Sequence, residues 1–353
     1  LLAEAGLYRW PDGLAAADWR TLPLEASVFP PAPYAPGDQN LAEMQLRSPF
    51  DAEARAARHY LGTDDLGRDV LSGMAHGARV SLAVGLGATL LAGVIGVMLG
   101  ALAGYLGDDR WRLSRSAWLC GLVMLPFAWF YGLYVRRYEW ADSLQSGAAA
   151  TLQCLLVTLG IWAVLAVLAW AASRLLRRAS WFRVRHAVWV DIGISRGVEL
   201  TQSLPAFLLL LTLSTLVQPG LTSLVLVIGL TSWPYIAALT RAEFLRLRRA
   251  DYMAAAQGLG LTGFRLMWRH GLPNAMPPVG VALTFGVANA ILVESALSYL
   301  GVGVRPETVT WGGMLALSRS APEAWWLAVL PGGAIFVTVF CLNILGERRQ
   351  DGR

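Results

Sequence analysis

The sequence predicts an all-α polytopic membrane protein, and three observations predict it. The 353 residues are 56% hydrophobic and only 15% charged, with a mean hydropathy of +0.49. The apolar residues are gathered into blocks rather than spread at helix or strand spacing. Uncharged runs of about 20 residues, the length a helix needs to cross a hydrocarbon core roughly 30 Å thick, recur along the chain.

Taken in order, residues 1–76 are the polar exception. They are proline-rich, as in "FPPAPYAPGDQN", and carry six arginines against eleven carboxylates, which reads as a loop-rich, water-facing segment. Apolar runs follow at 79–106, 116–135, 147–172, 190–217, 221–240, 279–300 and 325–345, giving seven candidate crossings. The first run carries Gly96, Gly100 and Gly104 at a spacing of four, a helical face on which a second backbone can approach closely, within the bundle or between subunits. Pro126 is expected to kink the second run or to mark a re-entrant stretch. Asp191, Arg196 and Glu199 stand near the start of the fourth run, where they can pair or reach water. Glu294 falls inside the sixth. A charge at mid-membrane costs about 2.5–3.5 kcal/mol on insertion scales, so Glu294 is expected to face protein or a water-filled path, with snorkelling to the outer surface as the alternative.

Arginine in the short connections sets the orientation. Arg110, Arg112 and Arg115 precede the second run; Arg174, Arg177, Arg178, Arg183 and Arg185 follow the third; Arg241, Arg246, Arg248, Arg249, Arg265 and Arg269 lie between the fifth and sixth; and Arg348, Arg349 and Arg353 end the chain. These four places are expected to be cytoplasmic. The N-terminal region then falls outside, which calls for a preceding crossing ahead of Leu1.

Composition also excludes chemistry. All 29 cationic side chains are arginine, so there is no P-loop lysine, Schiff-base lysine or serine-lysine dyad. Cys120, Cys154 and Cys341 lie inside apolar runs and imply no disulfide framework. His59, His76, His186 and His270 are too scattered for a metal site. The net charge of +5 is explained by arginines at helix ends rather than by nucleic-acid binding. No catalytic residue and no metal ligand is assigned.

Between the fifth and sixth runs lies "RAEFLRLRRADYMAAAQGLGLTGFRLMWRHGLPN", residues 241–274, a small-residue, glycine-broken, arginine-flanked stretch in an otherwise apolar chain. It resembles the cytoplasmic coupling loop of type I ABC importer permeases, whose pattern runs Glu-Ala-Ala, three residues, Gly, nine residues, an apolar residue, any residue, Leu-Pro. The matching positions are Ala255, Ala256, Gly260, Leu272 and Pro273, with Tyr252 before and Asn274 after as in the peptide-transporter branch. Ala254 stands where the glutamate is usual, and His270 takes the apolar position. "HYLGTDDLGRDVLSGMAHGARVSL" (59–82), "GYLG" (104–107), "WVDIGISRGVELTQSLPAF" (189–207), "SALSYLGVGVRPETVTWGGML" (295–315) and "LNILGE" (342–347) are likewise similar to the second permease subunit of dipeptide and oligopeptide importers.

The resemblance implies a type I ABC importer transmembrane domain in the bacterial inner membrane. It divides the chain into an extracytoplasmic region and elbow (1–76), a first core helix (77–107), an inserted transmembrane hairpin peripheral to the core (108–188), a core domain (189–347) with its coupling loop at 243–278, and a cytoplasmic tail (348–353). It implies as partners a second homologous permease, two ABC ATPases carrying ATP and Mg, a solute-binding protein and the lipid bilayer, with no cofactor on this chain. Tyr252, Ala254, Ala255, Ala256, Gly260, Arg265, His270, Leu272, Pro273 and Asn274 would engage the ATPase. There the small alanines permit close helix approach, Gly260 permits a sharp turn and Pro273 fixes the return to the membrane. Asp64, Asp65, Arg68 and Asp69 lie on the side where the binding protein docks, although the same residues can also form a self-satisfied turn. Rival readings are an ion-coupled secondary transporter, which would show internal repeats and acidic mid-membrane residues, and a membrane scaffold.

Overall fold

The computed structural model describes residues 34–39, 45–107, 112–146, 148–176, 178, 185–187, 189–261, 263–305 and 307–351. Arg110, Arg177, Arg183, Arg353 and the polar segment before residue 34 lie outside them. The fold is all-α, with thirteen helices among the described residues and one short antiparallel ribbon, β1 (Arg112–Ser114) against β2 (Arg185–Ala187).

Six helical spans are long and apolar enough to cross a membrane: Val70–Leu106, Arg115–Tyr134, Ala150–Leu176, Leu221–Leu247, Gly263–Tyr299 and Trp326–Arg348. The expected crossing at 190–217 is bent rather than continuous. Here α6 (Val190–Gln202) and α7 (Ala206–Leu216) meet at 84°. Pro205 has no amide hydrogen and disfavours helical backbone at Leu204, so the helix stops and restarts beyond it. The 11 residues of α7 rise about 16 Å, too little to span alone. A second correction concerns α2, which begins at Val70 rather than near 77–79. Asp69 Oδ2 accepts from Ser72 N at 2.7 Å, capping the helix before the apolar run begins.

The chain divides into two compact units. The first takes the described residues up to Ser81 with Ser298–Gly301 and Arg305–Phe336. It holds α1 (Ala52–Ala56), the start of α2, α12 (Trp311–Leu317) and the start of α13 (Trp326–Asp351). Val70, Met314, Ala321, Ala324, Trp326 and Leu327 form its core. Both tryptophans that enter this unit's packing use their ring N–H. Trp311 Nε1 donates to Met74 O at 3.0 Å and Trp326 Nε1 donates to Thr63 O at 2.9 Å.

The second unit contains most of the membrane helices. Its spine is α2 against α8 (Leu221–Leu247). A methyl group built at Gly96 would lie 2.7 Å from Ile236 Cβ, one at Gly100 2.7 Å from Thr240 Cβ, and one at Gly104 2.6 Å from Arg241 O. The glycine face is thus spent on a contact inside this chain. Asp191 on α6 receives Arg241 of α8 in two-point fashion, with Arg241 Nη2 donating to Asp191 Oδ2 at 2.6 Å. Arg196 pairs locally with Glu199 at 2.5 Å on an exposed face. Asp191→Asn should cost about 1.5–3 kcal/mol, the range for hydrogen bonds to charged groups. Arg196→Gln should cost under about 1 kcal/mol. Thermal melts of the two purified variants in detergent check the contrast.

Within 112–187, α3 (Arg115–Trp129) contains Pro126 and continues through it into a π-helical turn, Phe130–Tyr134. Then come α4 (Arg137–Ser146) and α5 (Ala148–Leu176). Trp162 Nε1 donates to Ala128 O at 3.0 Å, tying α5 to α3. Arg136 is buried between them, donating to Thr158 Oγ1 at 2.8 Å and Glu139 at 2.7 Å. The ribbon β1–β2 brings the two ends of this segment together. Only 17% and 11% of the two apolar windows is buried, so their outer surfaces are open to lipid.

Candidate functional site

The loop after α8 is built from two short helices on a buried anchor. In α9 (Asp251–Gly258), Met253 and Ala256 are three apart and fall on one face. They pack with Ala101, Tyr105, Phe244, Leu247, Leu266, Met267 and Ala275. Asp251 in the first turn suits the positive end of the helix dipole. The other face looks outward, with Tyr252, Ala254 and Ala255 exposed.

Gly260 closes α9. Its φ is +84°, the left-handed region open to glycine. Gly260 N donates to Gln257 O at 2.9 Å and Leu261 N to Ala256 O at 3.1 Å, the paired bonds of a Schellman stop. Then α10 (Gly263–Leu266), a π-helical turn (Met267–Gly271) and α11 (Leu272–Tyr299) run on as one helix. Pro273 therefore lies at the start of α11, inside a helix that continues through it. Asn274 Nδ2 donates to His270 O at 2.7 Å, so a side-chain amide serves that carbonyl beside the proline. Arg265 is exposed, His270 and Leu272 are half-buried, and Ala256 is turned inward.

Three residues of this loop were not singled out in the sequence. Leu259 is 85% exposed, Phe264 69% and Trp268 41%, and the Phe264 and Trp268 rings lie 5.5 Å apart. Large apolar side chains this open mark an interaction surface. The available signal was their position on either side of Gly260 and Gly263.

A cavity of about 840 Å³ opens at the α6–α7 break, walled by α2, α8 and α11. Its polar lining is neutral, including Gln202, Ser203, Ser232, Tyr235 and Asn289. No aspartate, glutamate, arginine or histidine is among its described lining residues. Glu294 is fully buried, accepts from Ser295 Oγ at 3.4 Å, and is absent from that wall. Of its expected surroundings, protein is the one found.

The acidic turn at 64–69 is closed on itself. Asp64 accepts from Leu66 N at 2.9 Å, Arg68 N at 2.8 Å and Arg68 Nε at 2.6 Å. Asp69 Oδ1 pairs with His59 Nδ1 at 2.9 Å, under a Tyr34 ring stacked on His59 at 4.2 Å. Asp64 and Asp69 are thus buried groups that hold the turn together, the self-satisfied arrangement. Arg68 and Asp65 keep partial exposure.

Comparisons with known proteins agree on one family. The profile described as "Binding-protein-dependent transport system inner membrane component" matches residues 177–349, which include the loop and most of the cavity wall. The di/tripeptide transport system permease protein DppC of Pseudomonas aeruginosa (strain UCBPP-PA14) is 30% identical over 328 residues, 92% of this chain and 82% of its own length. A Brucella suis biovar 1 (strain 1330) protein provisionally named as a peptide permease is 29% identical over 322 residues, 90% of this chain and 78% of its own. With its six apolar spans, its broken seventh and this degree of shared sequence, the chain belongs to the binding-protein-dependent transport system inner membrane components.

Proposed function

We propose that this chain is the permease subunit of an ATP-driven importer of peptides or related small solutes. It supplies half of the translocation path and performs no catalysis. A second homologous permease supplies the other half, an extracytoplasmic binding protein delivers the solute, and two ATPases holding ATP and Mg engage the 251–274 loop from the cytoplasm. The peptide class is supported by the printed names of the relatives. Coupling is supported by one observation above all: a loop rooted in a buried core through Met253, Ala256, Leu266 and Met267 while Tyr252, Leu259, Phe264 and Trp268 face outward. A loop held that firmly converts a partner's closure into motion of α8 and α11, the alternating-access requirement.

The test is peptide uptake into vesicles containing the assembled transporter, with and without the ATPases. Uptake should need both ATP and the ATPases. Gly260→Val, which forces a β-branched side chain into left-handed backbone at a cost of about 1–2 kcal/mol, should weaken copurification of the ATPase with the tagged chain. Peptide uptake persisting without the ATPases would instead establish an ion-coupled carrier.

A further inference from the structure

We propose that the cavity at the α6–α7 break recognises the peptide backbone through neutral hydrogen-bonding groups and leaves side-chain charge unread. The inference rests on the permease reading and adds what its cavity selects. Asn289 stands midway along the run 279–300, and from Val279 to Val293 the other side chains are apolar apart from Thr284. A side-chain amide in such a place is costly unless it is paired or lines a water-filled space. Gln202 at the end of α6 and Ser232 and Tyr235 on α8 open onto the same cavity as Asn289 of α11. Among the described residues none of these four side chains has a hydrogen bond to protein. Three helices therefore each bring uncommitted neutral groups to one chamber.

The chemistry of those groups defines the guest. Asn and Gln each offer two donors and an acceptor, and Ser and Tyr hydroxyls do both. A peptide bond presents one donor and one acceptor, so the set complements a backbone in either direction. A carboxylate or ammonium on the guest would find no opposite charge in the wall. At about 840 Å³, the cavity falls within the ~300–1,000 Å³ typical of small-ligand sites.

The experiment uses the assembled transporter in proteoliposomes with three probes: trialanine, alanyl-glutamyl-alanine and alanyl-lysyl-alanine. Each variant's uptake rate is divided by the wild-type rate for the same probe, which cancels any preference of the binding protein. Asn289→Leu should reduce all three ratios alike, by about tenfold, the loss of one well-made hydrogen bond. Asn289→Asp should set the glutamate probe at least about fivefold below the lysine probe, since a fixed charge now reads the guest. ATP hydrolysis stimulated by the binding protein reports assembly. If Asn289→Leu loses it, Gln202→Leu on the exposed end of α6 carries the same expectation. Ratios near one for both Asn289 variants, with wild-type uptake intact, overturn the inference and leave the permease reading standing. A wild-type complex that takes up none of the three while the binding protein still stimulates its ATP hydrolysis overturns this inference and leaves the permease reading standing.

Discussion

Gly100→Val should leave little folded protein to extract from the membrane. A Cβ at position 100 runs onto the carbonyl oxygen of Ala237 and comes within 2.7 Å of Thr240 Cβ. The first obstacle is backbone and has no rotamer to escape into, so α8 must move away from α2. Overpacking of this kind costs about 1–3 kcal/mol and occasionally more. In lipid the cost is not offset by hydrophobic association, because helix pairing there depends on close packing itself. Displacing α8 also opens the contacts of Gly96 with Ile236 and of Gly104 with Phe244, one turn away on either side. Gly193→Ala is the control, since nothing lies within 4 Å of a methyl group there. Fluorescence-detected gel filtration and thermal melting should show Gly100→Val aggregated or strongly destabilised and Gly193→Ala close to wild type. A Gly100→Val protein melting within about 1 °C of wild type, less than the roughly 1.3 °C that 1 kcal/mol produces in a chain of 353 residues, would mean the helices part without cost.

The double variant Leu259→Asp with Phe264→Asp should abolish capture of the ATPase while leaving the membrane helices folded. Both side chains are well over half exposed, and neither belongs to the core that anchors the loop. Replacing them costs the free chain little. Under the proposed function each is covered when the ATPase docks, and full burial of a leucine or phenylalanine stabilises by about 1.5–3 kcal/mol. Losing two such anchors weakens binding by roughly two to four orders of magnitude. Pull-down of the tagged chain, paired with its melting temperature, separates the outcomes. An unchanged melt with no ATPase recovered is expected. Full ATPase recovery would move the docking surface elsewhere on the chain.

Much of the architecture was legible because burying apolar helices in lipid is a composition effect. The runs 116–135 and 221–240 reappear as Arg115–Tyr134 and Leu221–Leu247. Glycine spacing also pointed to a close helix approach, which α8 fills. What escaped notice is local stereochemistry hidden inside an apolar average. Pro205 was visible, and the chain changes there from the amphipathic α6 to the apolar α7, but a run read as one average over 190–217 hides the bend at Ser203–Pro205. The start of α2 was missed for the opposite reason: 70–78 are of mixed polarity, and their helix is fixed by the Asp69 cap and by Val70 in a core. Long-range pairing was equally invisible. Asp191 was grouped with Arg196 and Glu199 by proximity in sequence, but its partner is Arg241, 50 residues away. For Asp64 and Asp69, charge suggested a surface, whereas burial under Tyr34, His59 and Arg68 is a fact of three dimensions.

The absence of side chains on the α2 face that meets α8 has a mechanical outcome. With Gly96, Gly100 and Gly104 laid directly on the α8 backbone, there is no deformable layer in which one rod could slip along the other. Tyr105 and Ala101 of α2 and Phe244 and Leu247 of α8 share the pocket that grips α9, so a push on α9 drives both rods as a single beam. Compliance is left to the bend at Ser203–Pro205, where the chain has already given up its helical hydrogen bonds and where the chamber would have to change width.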